Sequence, residues 1–99
     1  MGKNAIIDKD ILGWGDEKSE EIKKHYEKVI QVSGHVELPE TISDADLAKY
    51  CSEHNCDLFT ADQKSYRDYF RVGVQKVQIS RYDIWKKGER PVFLIEIVN

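Results

Sequence analysis

Short apolar runs alternate with longer polar stretches along the chain, and the runs have the length of strands rather than of buried helices. The first run, AII at residues 5–7, lies between polar residues. Similar runs of apolar and β-branched residues occur at residues 29–32, 57–60, 74–79 and 92–98. The pattern therefore predicts a strand at each of these places.

The segments between these runs carry their apolar residues at helical spacing. Apolar side chains at i, i+4 and i+7 predict a helix over residues 16–28. Ser43 has the position of an N-cap, with Asp46 three residues later, and predicts a second helix that ends near residue 54. A third helix is predicted over residues 63–70.

Alternation of strands and helices is typical of an α/β fold with a mainly parallel sheet. We therefore expect residues 1–99 to form a single compact domain with three layers, α/β/α. Its central sheet is expected to be mainly parallel and to contain about four to five strands. The direction of the last strand stays open, because the connection before it, residues 80–90, is short enough for an antiparallel return.

Composition narrows the classes of function. Fifteen basic and 18 acidic residues give a net charge of −3, which argues against a protein that binds nucleic acid through bulk positive charge. No apolar run approaches the length of a membrane span, so no membrane association is expected. The start of the chain, MGKNAII, does not resemble a signal peptide, and we expect a cytoplasmic protein with reduced cysteines.

The segment CSEHNC places His54 between Cys51 and Cys56 and raises the question of a zinc site. Closed zinc sites combine two ligand pairs at set spacings, and this chain has one such group. His25 and His35 would have to complete the site from elsewhere in the sequence. We favour the simpler interpretation, in which Cys51 is a core residue of a helix and Cys56 begins a strand.

Three aspartates follow three predicted strands. Asp8 comes directly after the first strand, Asp44 opens the helix after the second, and Asp62 follows the third in the segment LFTADQ. The carboxyl ends of parallel strands form the edge at which open α/β sheets bind ligands. Carboxylates gathered there repel one another unless a cation lies between them, and hard oxygen ligands suit Mg²⁺ or Mn²⁺. Asp44 and Asp62 also have ordinary interpretations, as a first-turn acid and a helix cap, whereas Asp8 is harder to explain in this way because Asp is depleted at the end of an apolar strand.

The ordered set of these features resembles the PIN-domain family of metal-dependent ribonucleases. The similarity is carried by the segment SDADLAKYCSEHNCDLFTADQKSY and by AIIDKDIL, and it covers most of residues 5–80. The matching features are an acid, a helix with small residues on one stripe, a short strand, Thr-x-Asp and an aromatic residue. In this chain they are Asp44, Ala45, Ala48, Cys51, Leu58, Phe59, Thr60, Asp62 and Tyr66.

The resemblance implies a Mg²⁺- or Mn²⁺-dependent endoribonuclease. It assigns Asp8, Asp44 and Asp62 to metal binding and catalysis, Thr60 to the support of these carboxylates, and Asp10 to an additional metal ligand. Members of the family carry a further acid, usually Glu, on a helix between the first and third of these positions. This chain lacks that helix, and its nearest substitutes are Glu37 and Glu40.

An RNA substrate requires basic residues near the acids. Lys64, Arg67 and Arg71 lie at i, i+3 and i+7 on the helix predicted after Asp62, and Lys9 adjoins Asp8. We expect these four cations to contact the phosphate backbone. A solvated helix face is the alternative interpretation of the first three.

Two alternatives to the ribonuclease follow from the same residues. A PIN-like module without catalysis, which binds RNA or protein, is suggested by the missing fourth acid. A receiver-type phosphoacceptor domain also gathers aspartates at strand ends, but it requires a late lysine that this chain does not offer. Among partners we expect RNA, and further a protein antitoxin, if the chain is the toxin of a toxin–antitoxin pair, or a second copy in a homodimer.

Overall fold

The structure is a computed structural model that describes residues 3–34 and 36–98. Within these residues the chain forms five strands and three helices of at least six residues. The strands are β1 Asn4–Ile7, β2 Lys28–Gln31, β3 Cys56–Thr60, β4 Val77–Trp85 and β5 Arg90–Ile97. The helices are α1 Leu12–Lys23, α2 Asp44–His54 and α3 Tyr66–Arg71. Short 3₁₀ turns, Lys9–Ile11 and Gln63–Ser65, precede α1 and α3.

The five strands form one mixed sheet in the order β2-β1-β3-β5-β4. The β1 strand is parallel to β2 and to β3, whereas β3 pairs with β5 and β5 pairs with β4 in antiparallel orientation. The prediction of a mainly parallel, PIN-like sheet is therefore wrong. Parallel pairing is confined to the three strands that are joined by helical crossovers.

The antiparallel half is a hairpin in the segment that we expected to be a connection. Residues 80–85 continue β4 instead of leaving the sheet, and β4 starts at Val77 rather than at residue 74. Its side chains alternate between partly buried and exposed on either side of an irregularity in the pairing near Arg81, as expected of a strand with one solvated face. The turn uses Gly88 and Glu89 at positive φ, 87° and 50°. Such a turn reverses the chain, so β5 returns between β3 and β4.

Each face of the sheet has its own hydrophobic core. Alternate residues of one strand point to opposite faces, so Ile6 and Ile7 of β1 belong to different clusters. The face under α2 and α3 buries Ile6, Leu47, Ala48, Cys51, Leu58, Tyr69 and Ile95. The face under α1 buries Ala5, Ile7, Ile11, Trp14, Ile22, Phe59 and Val92.

The first helix begins at Leu12, earlier than predicted, and ends at Lys23. Glycine is a poor helix former, so the sequence GWG at residues 13–15 does not favour a helix there. The reason for the glycine is a close approach: a Cβ at Gly15 would lie 2.7 Å from Cγ2 of Ile7. Trp14, between the two glycines, is a helical residue that is 1% exposed. Gly15 thus lets α1 lie directly on β1.

The second helix confirms its predicted start and end. Ser43 is the N-cap, and its Oγ accepts a hydrogen bond from the backbone N–H of Asp46 at 3.1 Å. At the other end Asn55 adopts the left-handed conformation, with φ 53°, and leads directly into β3. This tight connection fixes where β3 begins, and therefore where its carboxyl end lies.

Cys51 lies in α2 and Cys56 begins β3, as predicted, and both are buried free thiols. Burial raises the pKa of Cys51 to about 12 and that of Cys56 to about 11. Thiols with such pKa values are poor metal ligands and nucleophiles at neutral pH. His35, one of the residues considered for zinc, lies outside the described residues.

No helix within residues 3–34 and 36–98 is long and apolar enough to cross a membrane.

Candidate functional site

Asp8 is a buried carboxylate at the carboxyl end of β1, with 6% of its surface exposed. Its backbone N–H continues the pairing with β3 and donates to the carbonyl of Phe59 at 2.9 Å. Both carboxylate oxygens accept hydrogen bonds: Oδ1 from the backbone N–H of Lys9 and Oδ2 from Oγ1 of Thr60, each at 2.7 Å. The side chain is thus held rigidly by the two neighbouring strands.

Thr60 connects Asp8 with the Thr-x-Asp turn. It is the last residue of β3 and fully buried. Its Oγ1 donates to Asp8 and accepts from the backbone N–H of Asp62 at 3.1 Å. The carboxylate of Asp62 accepts from the backbone N–H of Lys64 at 3.0 Å and caps the following 3₁₀ turn. Asp62 is therefore an exposed cap residue that the same threonine links to the buried acid.

Asp10, in the 3₁₀ turn after Asp8, is the most perturbed carboxyl group of this edge. Burial, with the charge of Asp8 as a second cause, raises the pKa of Asp10 to about 6, although the nearby backbone amide of Ala61 opposes the shift. Its Oδ1 is buried and has no hydrogen-bond partner among the described residues. A buried oxygen without a donor costs free energy, so this atom is available to a ligand.

Asp44 approaches the same edge from α2. It occupies the first turn of that helix and is exposed. Burial is the main reason that the pKa of Asp8 is raised, and the negative charge of Asp44 adds to the shift. The predicted acids therefore share one edge of the sheet, with Asp8 and Asp10 inside it and Asp44 and Asp62 at its surface.

The fit of this edge to a divalent cation is partial. Carboxylate oxygens are the correct donors for Mg²⁺ or Mn²⁺, and the unpaired Oδ1 of Asp10 is a free donor atom. However, no group of three or more His, Cys, Asp or Glu within the described part of the chain is arranged to hold a metal ion. A cation at this edge would therefore take few protein ligands and retain several waters, which is usual for Mg²⁺.

The two glutamates considered as a fourth acid, Glu37 and Glu40, make other contacts. The Glu37 carboxylate is 3.9 Å from Nε2 of His54, at the end of α2 that lies opposite to Asp44. Glu40 approaches the site through its backbone, since its carbonyl accepts from Nζ of Lys9 at 3.2 Å. Neither residue replaces the missing acid through its carboxylate in these contacts.

The predicted basic residues lie in two segments: Lys9 is in the 3₁₀ turn after Asp8, and Lys64, Arg67 and Arg71 are in the turn and helix that follow Asp62. Lys64 lies in the 3₁₀ turn, and the helix predicted from residue 63 starts as an α-helix only at Tyr66. Arg71 forms a 3.4 Å ion pair with Asp68, and the guanidinium of Arg67 lies 6.0 Å from the centre of the Tyr66 ring. Such exposed contacts are weak and leave the cations able to meet phosphate.

One residue near the acids was missed by the sequence analysis. Nη1 of Arg90 donates to the backbone carbonyl of Asp10 at 3.4 Å. Arg90 is the first residue of β5, and it reaches this edge because β5 runs antiparallel to β3. Its position follows from the direction of the last strand, which the sequence left open.

Comparison with known proteins gives no relative: no protein-family model, no curated protein and no solved structure matches this chain.

Proposed function

We propose that the protein is a Mg²⁺- or Mn²⁺-dependent ribonuclease whose site is the acidic edge formed by Asp8, Asp10, Asp44 and Asp62. The observation that carries the proposal is the pair of neighbouring carboxyl groups of Asp8, which is buried, and Asp10, which is partly buried, whose pKa values are both raised. The buried Oδ1 of Asp10 lacks a partner among the described residues. A divalent cation would supply that partner and remove the repulsion between the two charges.

Each residue would have a distinct part. Asp8 and Asp10 would hold the cation, and Asp44 and Asp62 would contact it through water from the exposed side. Thr60 would keep Asp8 in one orientation through its 2.7 Å hydrogen bond. When bound, a divalent cation at such a site lowers the pKa of a water molecule and offsets negative charge on a phosphodiester.

The choice of RNA as substrate is supported by basic residues that follow the acids in the sequence, Lys9 after Asp8 and Lys64 after Asp62, although the chain as a whole has a net charge of −3. Lys9, Lys64, Arg67 and Arg71 would bind the phosphate backbone. The proposal depends on these side chains and not on a PIN-like sheet, which the antiparallel hairpin contradicts. A cytoplasmic location, a toxin–antitoxin role with a protein antitoxin, and a homodimer joined at the exposed edge strand β4 are parts of the same proposal.

The test is divalent-dependent cleavage of single-stranded RNA. We expect cleavage with Mn²⁺ or Mg²⁺ that excess EDTA stops and that Asp8→Ala and Asp62→Ala abolish. Asp16→Asn is the matched control, since Asp16 is an exposed acid on α1 whose bond from Gln31 an asparagine can keep. Cleavage that persists in EDTA, or wild-type rates in both alanine variants, would contradict the proposal.

A second function, an RNA- or protein-binding module without catalysis, is favoured by one observation. The Asp8 oxygens already accept two hydrogen bonds, and the described residues contain no group of three acids arranged for a metal ion. This alternative predicts RNA binding that is equal in EDTA and in Mn²⁺, without any cleavage. Metal-dependent cleavage that Asp8→Ala removes would exclude it.

A further inference from the structure

A cavity of about 370 Å³ lies between α1 and the carboxyl end of β4, outside the acidic edge. Trp14 and Trp85 line it together with Lys86 and Lys87 of the hairpin turn. This volume lies at the lower end of the range for small-molecule sites, roughly 300–1,000 Å³. The cavity is therefore large enough for one flat aromatic group, and it is lined by both aromatic and cationic side chains.

The indole of Trp85 is held in place while part of it stays accessible. Its Nε1 donates to Oε2 of Glu17 at 3.1 Å. The ring also lies against Gly13, where an added Cβ would come to 2.8 Å from Cζ2. Trp14 lies deeper, 1% exposed, and donates through Nε1 to Oδ2 of Asp83 at 2.9 Å. A half-buried indole with a fixed orientation is a suitable stacking surface.

The charges of the cavity favour an anion at its mouth. Lys86, Lys87 and Arg90 are exposed at the hairpin turn, and within the described residues none of the three forms an ion pair with an acid. The partly exposed acid Asp83 already accepts a hydrogen bond from the indole of Trp14, and Nζ of Lys18 is 3.9 Å away. The lysines of the hairpin turn are thus free of ion pairs with acids, whereas the carboxylates of Glu17 and Asp83 already accept hydrogen bonds from the two indoles.

The cavity and the acidic edge are neighbours through the hairpin. Trp85 and Arg90 are paired residues at the end of β4 and the start of β5. Arg90 in turn donates to the carbonyl of Asp10 at 3.4 Å. Because β5 is antiparallel to β3, the hairpin turn lies at the same end of the sheet as the carboxyl ends of β1 and β3. A strand that crosses the acids can therefore continue onto this turn.

We propose that the cavity binds one nucleotide of a single-stranded RNA, with its base stacked on Trp85 and its phosphates at Lys86 and Lys87. Stacking on an indole accepts any base, and flexible lysines follow the backbone, so the site selects single strands over duplexes. This inference rests on the proposed ribonuclease function, to which it adds the position of the substrate strand beside the acids. The RNA contacts that it assigns do not depend on a bound metal ion.

The test is binding in EDTA, where metal-dependent cleavage cannot occur. Tryptophan fluorescence is titrated with a single-stranded oligoadenylate of about 12 nucleotides, within the usual site size of about 4–16. We expect the oligonucleotide to quench Trp85, and Trp85→Phe to lose this change while its buried Trp14 still reports a folded protein. A duplex of the same length is expected to bind at least about tenfold more weakly, because its bases are already stacked.

Two pairs of lysines provide a matched comparison of charge. Lys86→Ala/Lys87→Ala is expected to weaken binding and to reduce the slope of log affinity against log salt by about 1.4, from roughly 0.7 for each phosphate contact on a single strand. Lys23→Ala/Lys24→Ala removes the same charge from the far end of α1 and is expected to change neither quantity. Both pairs are exposed, so neither double variant should disturb folding.

The aromatic contribution is measured with Trp85→Leu in a polarisation assay with labelled oligoadenylate. We expect a loss of affinity of roughly 5- to 150-fold, the effect of removing one stacked base. Tyr50→Leu removes a partly exposed ring from the opposite face of the sheet and should leave the affinity unchanged. The inference would be overturned if Trp85→Leu and Lys86→Ala/Lys87→Ala both bound RNA with wild-type affinity. It would also be overturned if the two lysine double variants had equal effects.

The two proposals fail independently. If single-stranded RNA quenches Trp85 but no divalent cation supports cleavage, the nucleotide site stands and the ribonuclease is wrong. If Mn²⁺-dependent cleavage occurs and Lys86→Ala/Lys87→Ala leaves RNA affinity unchanged, the acidic edge stands and the nucleotide site is wrong.

Discussion

The hydroxyl of Thr60 donates to Oδ2 of Asp8 at 2.7 Å and joins the ends of two adjacent parallel strands. The same oxygen accepts from the backbone N–H of Asp62 at 3.1 Å. One buried side chain thus connects the acid inside the edge with the turn that carries the acid at its surface. Its hydrogen bond opposes the rise in the pKa of Asp8 that burial causes.

Replacing Thr60 by valine keeps the shape and removes both hydrogen bonds. We expect the free energy of unfolding at pH 7 to fall by about 1–3 kcal/mol, because the buried Asp8 carboxylate loses a donor and the Asp62 amide loses an acceptor. Urea denaturation measures this loss. It should become smaller as the pH falls through the raised pKa of Asp8, because the protonated carboxyl group gains less from the Thr60 hydroxyl than the carboxylate does.

Thr60→Ser is the matched control, because it retains the hydroxyl and loses only a buried methyl group. Its loss of stability should be about 1 kcal/mol and independent of pH. If Thr60→Ser and Thr60→Val give the same pH dependence, the hydroxyl does not stabilise the ionised form of Asp8.

Asp10 makes the stability of the protein depend on pH in a particular direction. Its folded-state pKa of about 6 exceeds the ordinary value of 3.8, so the folded state binds more protons than the unfolded state between these values. The free energy of unfolding therefore falls as pH rises from about 4 to about 6, and the loss is complete above that range. Asp10→Asn removes this penalty.

The difference in unfolding free energy between Asp10→Asn and the wild type should consequently grow from pH 4 to pH 7 in favour of the variant. A shift of this size corresponds to about 3 kcal/mol at most, and solvent screening of a partly exposed group reduces the expectation to about 1 kcal/mol. Asp16→Asn, the exposed control, should show no such growth. A constant difference for Asp10→Asn across this range would contradict the raised pKa.

A substitution at Gly15 tests whether α1 contains glycine there because the helix lies close to β1. Alanine in a helix interior normally stabilises by about 1 kcal/mol relative to glycine. Here the new Cβ would lie 2.7 Å from Cγ2 of Ile7, so we expect Gly15→Ala to destabilise by about 1–3 kcal/mol through overpacking. Glu20→Ala, at an exposed position of the same helix, should be about neutral. A stabilising Gly15→Ala would show that α1 does not lie so close to the sheet.

Several features could be predicted from local sequence signals. The parallel part of the sheet follows from short apolar runs separated by helical patterns, and the N-cap at Ser43 follows from its spacing to Asp46. Asp8 and Thr60 could be placed at one edge because both end a predicted strand. In each case the information lies within a few residues of the position concerned.

The remaining features depend on contacts between distant segments. The early start of α1 depends on how closely Gly15 must approach Ile7, and composition alone reads the glycine as a helix breaker. The hairpin depends on which strand β5 joins, and this is decided by long-range pairing. Arg90 and Trp85 could therefore not be placed near Asp10, since their position follows from that pairing.

The central claim is that Asp8 and Asp10 form a binding site for a divalent cation. Titration of the metal-free protein with Mn²⁺, with free Mn²⁺ followed by electron paramagnetic resonance, tests it most directly. The account predicts one saturable site that Asp8→Asn and Asp10→Asn each weaken at least about tenfold and that Asp16→Asn leaves unchanged. Absence of a saturable site, or equal affinity in all four proteins, would contradict it.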